Sequence, residues 1–106
     1  HPRGAPMSHV VEFTLTVKPG HYRDVLDLYS DFAHDFMAVD PHLKSVHIVG
    51  DAGSGLVRGI GVFDTEESAA AVNSDVIFAT FNDQIAPLIS APPQRVILDL
   101  VHAWHR

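Results

Sequence analysis

The sequence predicts an α+β fold of the ferredoxin-like class, in which a four-stranded antiparallel sheet carries helices on one face. Three observations predict it. Alternating hydrophobic residues near both ends of the chain indicate strands, apolar residues spaced three and four apart indicate helices, and a glycine-rich turn near the middle indicates a hairpin. These elements follow one another in the order β-α-β-β-α-β.

The length of 106 residues is typical of one domain, and 46% hydrophobic with 19% charged residues is the composition of a globular protein. We assign the single domain to residues 7–106. The first six residues precede Met7 and have no periodicity. We interpret them as an expression remnant or a loose tail and leave them out of the fold.

The formal net charge of −6 lacks the basic excess of proteins that bind nucleic acids or anionic membranes. No apolar run approaches the roughly 18 residues of a membrane span. The chain has no cysteine, which excludes disulfides, a thiolate nucleophile and a zinc ribbon. This composition fits a cytoplasmic protein, although a secreted protein without cysteine would look the same. We expect no nucleic-acid or membrane partner.

The first half of the chain predicts one strand and one long helix. Residues 9–17 alternate between hydrophobic and polar and end at Pro19-Gly20, which predicts a strand. From His21 the period changes to three and four until Asp40-Pro41, which predicts an amphipathic helix of about five turns. Its apolar stripe consists of Tyr22, Val25, Leu26, Tyr29, Phe32, Ala33 and Phe36.

The second half predicts a hairpin, a helical region and a last strand. Residues 43–49 and 56–63 form the hairpin around the turn at 50–55. Asp64, followed by Glu at the third helical position, predicts the start of a helix, and Asp75 could cap a second helical piece. Pro92-Pro93 ends this region, and residues 95–104 form the fourth predicted strand.

The face of the sheet without helices favours a homodimer. If Val11 and Phe13 face the helices, the opposite face mixes apolar and charged residues, too apolar for water and too polar for a simple core. A second copy packed sheet to sheet could cover it and compensate Glu12 and Arg58. A monomer with an open, semi-polar sheet is the alternative. The residues predicted on this face are Val10, Glu12, Thr14, Thr16, Leu56, Arg58, Ile60 and Val62, with Ile97, Val101, Arg95 and Asp99 from the fourth strand.

Three short motifs carry a family resemblance: Phe63-Asp64-Thr65-Glu66-Glu67-Ser68-Ala69, Ser74-Asp75-Val76-Ile77-Phe78, and Ala86-Pro87-Leu88-Ile89 ahead of Pro92-Pro93. With the element order over most of residues 7–106, they make the chain resemble the antibiotic-biosynthesis-monooxygenase-like family, whose fold is the dimeric α+β barrel. In the second motif Asp75 replaces the family's common proline. The motifs serve packing and capping, so they point to the fold more than to an activity.

The resemblance implies several possible activities. Some members oxidise quinols or polyketide aromatics with dioxygen and no cofactor, while others cleave haem or isomerise. The haem-cleaving branch uses an Asn on the first strand, a Trp near the end of the third and a His on the second helix. Here the first strand has no Asn, the third ends in Phe63, and residues 66–89 contain no His, so we expect no haem cleavage.

The function implied by the resemblance is therefore that of a cofactor-independent monooxygenase acting on a small aromatic, either a quinol or a polyketide-type molecule. One alternative is a non-catalytic homodimer that binds a small hydrophobic molecule or a protein partner. Another is an isomerase or cyclase, which would need a base beside its substrate but no oxygen.

A candidate ligand pocket follows from two glycines of the third strand. Gly59 and Gly61 lie on the same side as Phe63, so bulky helix residues face two missing side chains. This leaves a slot suited to a planar aromatic ligand, unless Tyr29, Phe32 or Phe36 fills it. The predicted pocket residues are Tyr29, Phe32, Phe36, Gly59, Gly61, Phe63, Phe78 and Phe81.

Among the eight histidines, His47 is the candidate catalytic base. It lies within the second strand and could point either into the helix-side cavity or into the sheet interface. No metal site is predicted, because no helical histidine pair occurs, and His102 and His105 on a strand would point to opposite faces. We likewise expect no cofactor.

Overall fold

A computed structural model describes residues 8–106, so the predicted tail lies outside the described residues. The β-α-β-β-α-β order is confirmed, with the second helical region in two pieces, each followed by a short 3-10 turn. No helix in this range is both long and apolar enough to cross a membrane. The elements are β1 (His9–Thr16), α1 (Tyr22–Val39), β2 (Leu43–Asp51), β3 (Leu56–Phe63), α2 (Glu66–Ala71), α3 (Val76–Ile85) and β4 (Gln94–Asp99).

The four strands form one antiparallel sheet in the order β2-β3-β1-β4, with β1 and β3 in the centre. The helices cover one face, as predicted. We call this the front face, and it carries Val11, Phe13 and Leu15 of β1, which are buried. The opposite face, which we call the rear face, carries the alternate residues Val10 and Glu12.

The core between the front face and the helices is built largely from aromatic rings. Phe13 of β1 packs edge-on against Phe78 of α3, with ring centroids 5.2 Å apart. Burying one such side chain completely stabilises the fold by about 1.5–3 kcal/mol. The largest fully buried side chains are Phe81, Leu15, Ile85, Val25 and Val57.

Two predicted helix caps have different outcomes. Asp75 caps α3 as predicted, because its Oδ1 accepts the Ile77 N–H at 2.8 Å. The prediction that Asp64 caps α2 is wrong, since Thr65 Oγ1 accepts the Ser68 N–H at 3.1 Å. The Asp64 N–H donates to the His42 carbonyl at 3.0 Å, so the strand ladder continues past Phe63 and the helix begins one residue later.

The fourth strand differs from the prediction in length and in orientation. It ends at Asp99, and residues 100–106 have no regular structure. Arg95 lies opposite Phe13 and Ile97 opposite Val11, which places both on the front face rather than the rear. The rear face carries Val96 and Leu98 instead. The side-chain period of a strand is two, so an error of one residue in register exchanges the faces.

Candidate ligand site between the sheet and the helices

A cavity of about 50 Å³ lies between the front face and the helices. Its only polar side chains among the described residues belong to Tyr29 and Arg95. Ala33 of α1 and Val46 of β2 are partly exposed, so the cavity reaches the surface between these two elements. The lining consists of Val11, Phe13, Tyr29, Phe32, Ala33, Phe36, Leu43, Val46, Ile60, Gly61, Phe63, Val72, Phe78 and Arg95.

Most residues predicted for the pocket line this cavity, but the two glycines differ. A Cβ on Gly59 would collide with the phenol of Tyr29, which fills that space. A Cβ on Gly61 would lie 3.4 Å from Phe63 Cε1 and 3.5 Å from Leu43 Cδ1, which is close to ordinary contact. Half of the predicted slot is therefore filled and half is open. The predicted residues that line the cavity are Tyr29, Phe32, Phe36, Gly61, Phe63 and Phe78.

Phe81, the other predicted residue outside the cavity, lies behind Phe32. The two rings are stacked, with centroids 4.6 Å apart and planes inclined by 12°. Phe81 lines a separate groove of about 330 Å³ between α1 and α3, together with Leu28, Asp31, Phe32, Asp35, Ile77, Thr80 and Gln84. Phe32 is the residue that both spaces share, so its ring forms the partition between cavity and groove.

His47 does not line the cavity. It lies opposite Ile60, which in turn lies opposite Glu12 of β1, so the register places all three side chains on the rear face, while Ile60 also contributes to the cavity lining. The His47 side chain points away from the helix-side cavity and is exposed. The reason is again the register, since Val46 and Ile48 are the neighbours that turn inward. No histidine, aspartate or glutamate among residues 8–106 lines the cavity.

Tyr29 provides a neutral hydroxyl in the cavity wall. Burial raises the pKa of this phenol well above its ordinary value, because the charged form would lose its hydration. The hydroxyl therefore stays protonated at physiological pH and can donate a hydrogen bond, but it is a poor candidate for a base.

Arg95 is the one charged side chain in the lining, and sequence reasoning placed it on the opposite face. Its Nη2 donates to the carbonyl oxygen of Ala69 in α2 at 3.0 Å. Its Nε is buried and has no hydrogen-bond partner within the described part of the chain. The signal that could have found it is its position opposite Phe13, which requires the pairing of β4 with β1.

No three histidine, cysteine, aspartate or glutamate side chains come together within residues 8–106 as a metal site would require. One histidine, one aspartate and one lysine do lie together at the end of the sheet. His42 Nδ1 donates to Asp64 Oδ1 at 2.7 Å, and Lys44 Nζ lies 3.3 Å from Asp64 Oδ2. His42 and Lys44 lower the pKa of Asp64, with the His42 hydrogen bond as the main cause.

No protein-family model and no curated protein matches the sequence. Solved structures do match. A provisionally assigned antibiotic biosynthesis monooxygenase from Caulobacter crescentus CB15 superimposes with a TM-score of 0.80 at 16% identity, covering 92% of this chain and 93% of that one. A protein of unknown function from Nitrosomonas europaea gives a TM-score of 0.80 at 19% identity, covering 97% and 98%.

A third similar structure is a variant of SnoaB, a cofactor-independent oxygenase from Streptomyces nogalater. Its TM-score is 0.75 at 11% identity, covering 91% of this chain and 95% of that one. At such low identities the likeness establishes the fold. The chain therefore has the fold of the antibiotic biosynthesis monooxygenases, as the sequence motifs predicted.

Proposed function

We propose that this protein is a cofactor-independent monooxygenase that acts on a small aromatic molecule of quinol or polyketide type. The observation that supports this most is the cavity, which is walled by aromatic rings and, within residues 8–106, has only the side chains of Tyr29 and Arg95 as polar ones. A likeness in fold to one cofactor-independent oxygenase agrees with it. The pocket residues in this proposal are those of the cavity lining, with Phe81 and Gly59 supporting it from behind.

In the proposed reaction the substrate is the only reductant. For a polyketide-type substrate such as an anthrone, a methylene group between two aryl rings becomes a carbonyl, and the substrate gives up four electrons. One atom of dioxygen becomes the carbonyl oxygen, and the other leaves as water with the two protons of the methylene group. The protein then has to bind the substrate anion, exclude water and hold the reacting carbon, which a dry cavity can do.

The cavity must widen to admit such a substrate. Its volume of about 50 Å³ is a fraction of the roughly 150 Å³ of an engineered apolar cavity that binds benzene. Phe32 separates it from the groove of about 330 Å³. If the Phe32 ring rotates away, the joined space falls within the roughly 300–1,000 Å³ of typical ligand pockets. We assign Phe32 this gating role.

The proposal gives His47 no contact with the substrate, since His47 lies on the rear face. An isomerase or cyclase would need a side-chain base beside its substrate, and the described lining contains none. This disfavours those reactions, and it restricts the oxygenase to substrates that enter the cavity already ionised. It also gives weight to the second candidate, a non-catalytic homodimer that binds a small aromatic ligand in the same cavity.

The test is a panel of quinols and hydroxyanthrones in an oxygen electrode with a metal chelator present. Dioxygen uptake proportional to protein concentration is expected. Gly61→Val should abolish uptake by filling the cavity, while Gly53→Val, in the exposed hairpin turn, should not change it. Binding without uptake would favour the ligand-binding protein, and neither binding nor uptake would contradict both functions.

We also propose that two copies pair through their rear faces. This face carries the exposed Val49, Val96 and Leu98 beside the partly buried Glu12 and Arg58, a mixture that a second copy could cover. Light scattering coupled to gel filtration at micromolar concentration should give twice the 11.6 kDa chain mass. A chain mass equal to the monomer would contradict it. The cytoplasmic location stays a prediction.

A further inference from the structure

We infer that the ligand of the cavity is an aromatic anion whose carboxylate or phenolate oxygen accepts the N–H of Arg95 Nε. The inference deepens the proposed function and rests on it in one respect only, namely that the cavity takes a ligand. It does not depend on whether the ligand is oxidised.

The first support is the orphaned donor. Arg95 lines the cavity, and its Nε is buried and has no hydrogen-bond partner among the described residues. Buried polar groups in folded proteins are nearly always paired, and an exception calls for an explanation. The Nη2 of the same guanidinium is paired with the Ala69 carbonyl, so the side chain is anchored by one nitrogen and keeps another for a ligand.

The second support is the charge of the cavity. A guanidinium is ionised at all physiological pH values, and the side chain of Arg95 is partly buried. No aspartate or glutamate among residues 8–106 lines the cavity, and Asp99, on the same face of β4, lies 3.4 Å from His9 instead. An anionic ligand would therefore provide a compensation that the described chain does not.

The third support is the absence of a base. A neutral phenol or quinol that had to be ionised inside the cavity would need a proton acceptor. Tyr29 is neutral, and the described lining has no imidazole or carboxylate. A ligand that enters as an anion needs no such acceptor. Arg95 would hold its negative oxygen, while the phenylalanine rings of the cavity lining pack against the aromatic part of the ligand.

The geometry also implies selectivity. Arg95 lies opposite Phe13 in the sheet, and its anchor, Ala69, is a fully buried residue of α2. The guanidinium is therefore held between two rigid elements, with little freedom to follow a misplaced oxygen. A planar donor group in a fixed position favours ligands whose anionic oxygen lies at the edge of the aromatic ring.

The test compares 2-naphthoate with its neutral analogue 2-naphthamide, which has nearly the same shape, by calorimetric titration at pH 7.5. The wild-type protein should bind 2-naphthoate at least about tenfold more tightly, the order expected for a hydrogen bond to a charged group. Arg95→Gln should lose this preference while still binding 2-naphthamide. Arg23→Gln, on the exposed side of α1, changes the net charge equally and should keep the preference.

The outcomes separate the inference from the proposed function. Equal binding of the two compounds by the wild-type protein, or a preference that survives in Arg95→Gln, would overturn the inference that Arg95 binds an anion. The cavity would still be a ligand site. If neither compound bound, both the anion inference and the use of this cavity as a site for aromatic ligands would be overturned. The wild-type comparison needs no variant, so it decides even if Arg95→Gln fails to fold. Arg95→Met, which keeps the aliphatic stem, provides a second neutral variant.

Discussion

The two faces of the sheet are built from alternate residues of the same strands, yet they differ in how charge is handled. On the front face one cation, Arg95, lies in the apolar cavity wall, and its Nε has no hydrogen-bond partner within residues 8–106. On the rear face, charges of both signs stand among valines, leucines and Ile60, and Arg58 Nε donates to Thr14 Oγ1 at 3.1 Å. Under the proposals above, one cation in an apolar cavity wall suits a small anionic ligand, whereas a mixed surface of both signs suits a second copy.

The largest expected effect concerns the rear face. Ile60→Asp places a carboxylate in the row that holds His47 and Glu12, where burial against a second copy would be costly. The variant should elute as a monomer in light scattering. Val76→Asp makes the same change at an exposed position of α3 and should stay dimeric. A dimeric Ile60→Asp protein would mean that the copies pair elsewhere.

The next effect distinguishes two glycines of the front face. Gly59→Ala forces a methyl group into the phenol of Tyr29, and overpacking of this kind costs typically about 1–3 kcal/mol in the free energy of unfolding. Gly61→Ala should lower the free energy of unfolding much less, since its Cβ would meet neighbours at 3.4 Å and 3.5 Å. It should instead weaken ligand binding by narrowing the cavity. Urea unfolding and calorimetry measure the two effects. Equal losses of stability would contradict the assigned packing.

A smaller effect is expected for the pair of His42 and Asp64 at the end of the sheet. The pKa of Asp64 is lowered in the folded state, mainly by the His42 hydrogen bond, so its stabilising contribution is present above the unfolded pKa of about 4. It is lost as the pH falls through the folded pKa. Asp64→Asn should therefore be less stable than the wild type at pH 7, with a difference that shrinks below about pH 4.

The difference for Asp64→Asn should be modest, since exposed ion pairs contribute little to stability. Thermal unfolding across this pH range measures it. Asp83→Asn, on the exposed side of α3, is the matched control and should show no comparable pH-dependent difference. A gap between wild type and Asp64→Asn that persisted unchanged to pH 2 would contradict the assigned interaction.

The smallest effect is expected at His47. Because its side chain lies on the rear face, His47→Ala should leave 2-naphthoate affinity and any dioxygen uptake of the protein within about twofold of wild type. A loss of turnover of 10²-fold or more, the scale of a missing general base, would show that His47 reaches a reacting group after all.

The sequence predicted the faces of β1 and β3 because their patterns are asymmetric. In β1 hydrophobic residues alternate with Glu12 and Thr14, and in β3 Gly59, Gly61 and Phe63 mark one side. The fourth strand lacks such asymmetry: Arg95, Ile97 and Asp99 alternate with Val96 and Leu98, and the rule that charges face outward selected the wrong side. Functional sites are where such rules often fail, and we propose that Arg95 faces the helices because it holds a ligand.

The pocket was predictable in composition but not in volume. The aromatic stripe of α1 and the glycines of β3 identified the facing walls, since periodicity fixes which residues share a side. Which glycine remains open depends on where the Tyr29 ring lies, a matter of a few ångströms in the packing of helix on sheet. The site's charge was missed for a different reason, since Arg95 enters the cavity only through the register of β4 with β1.

The fit between Tyr29 and Gly59 has an evolutionary consequence. The phenol occupies the space of the missing side chain, so Gly59 cannot gain a side chain while Tyr29 stays. Among related sequences of this fold, a larger residue at the position of Gly59 should be accompanied by a shorter one at the position of Tyr29. Positions 29 and 59 would then appear as a covarying pair, and ancestral changes there would have occurred in a fixed order, with the tyrosine shortened before the glycine was replaced.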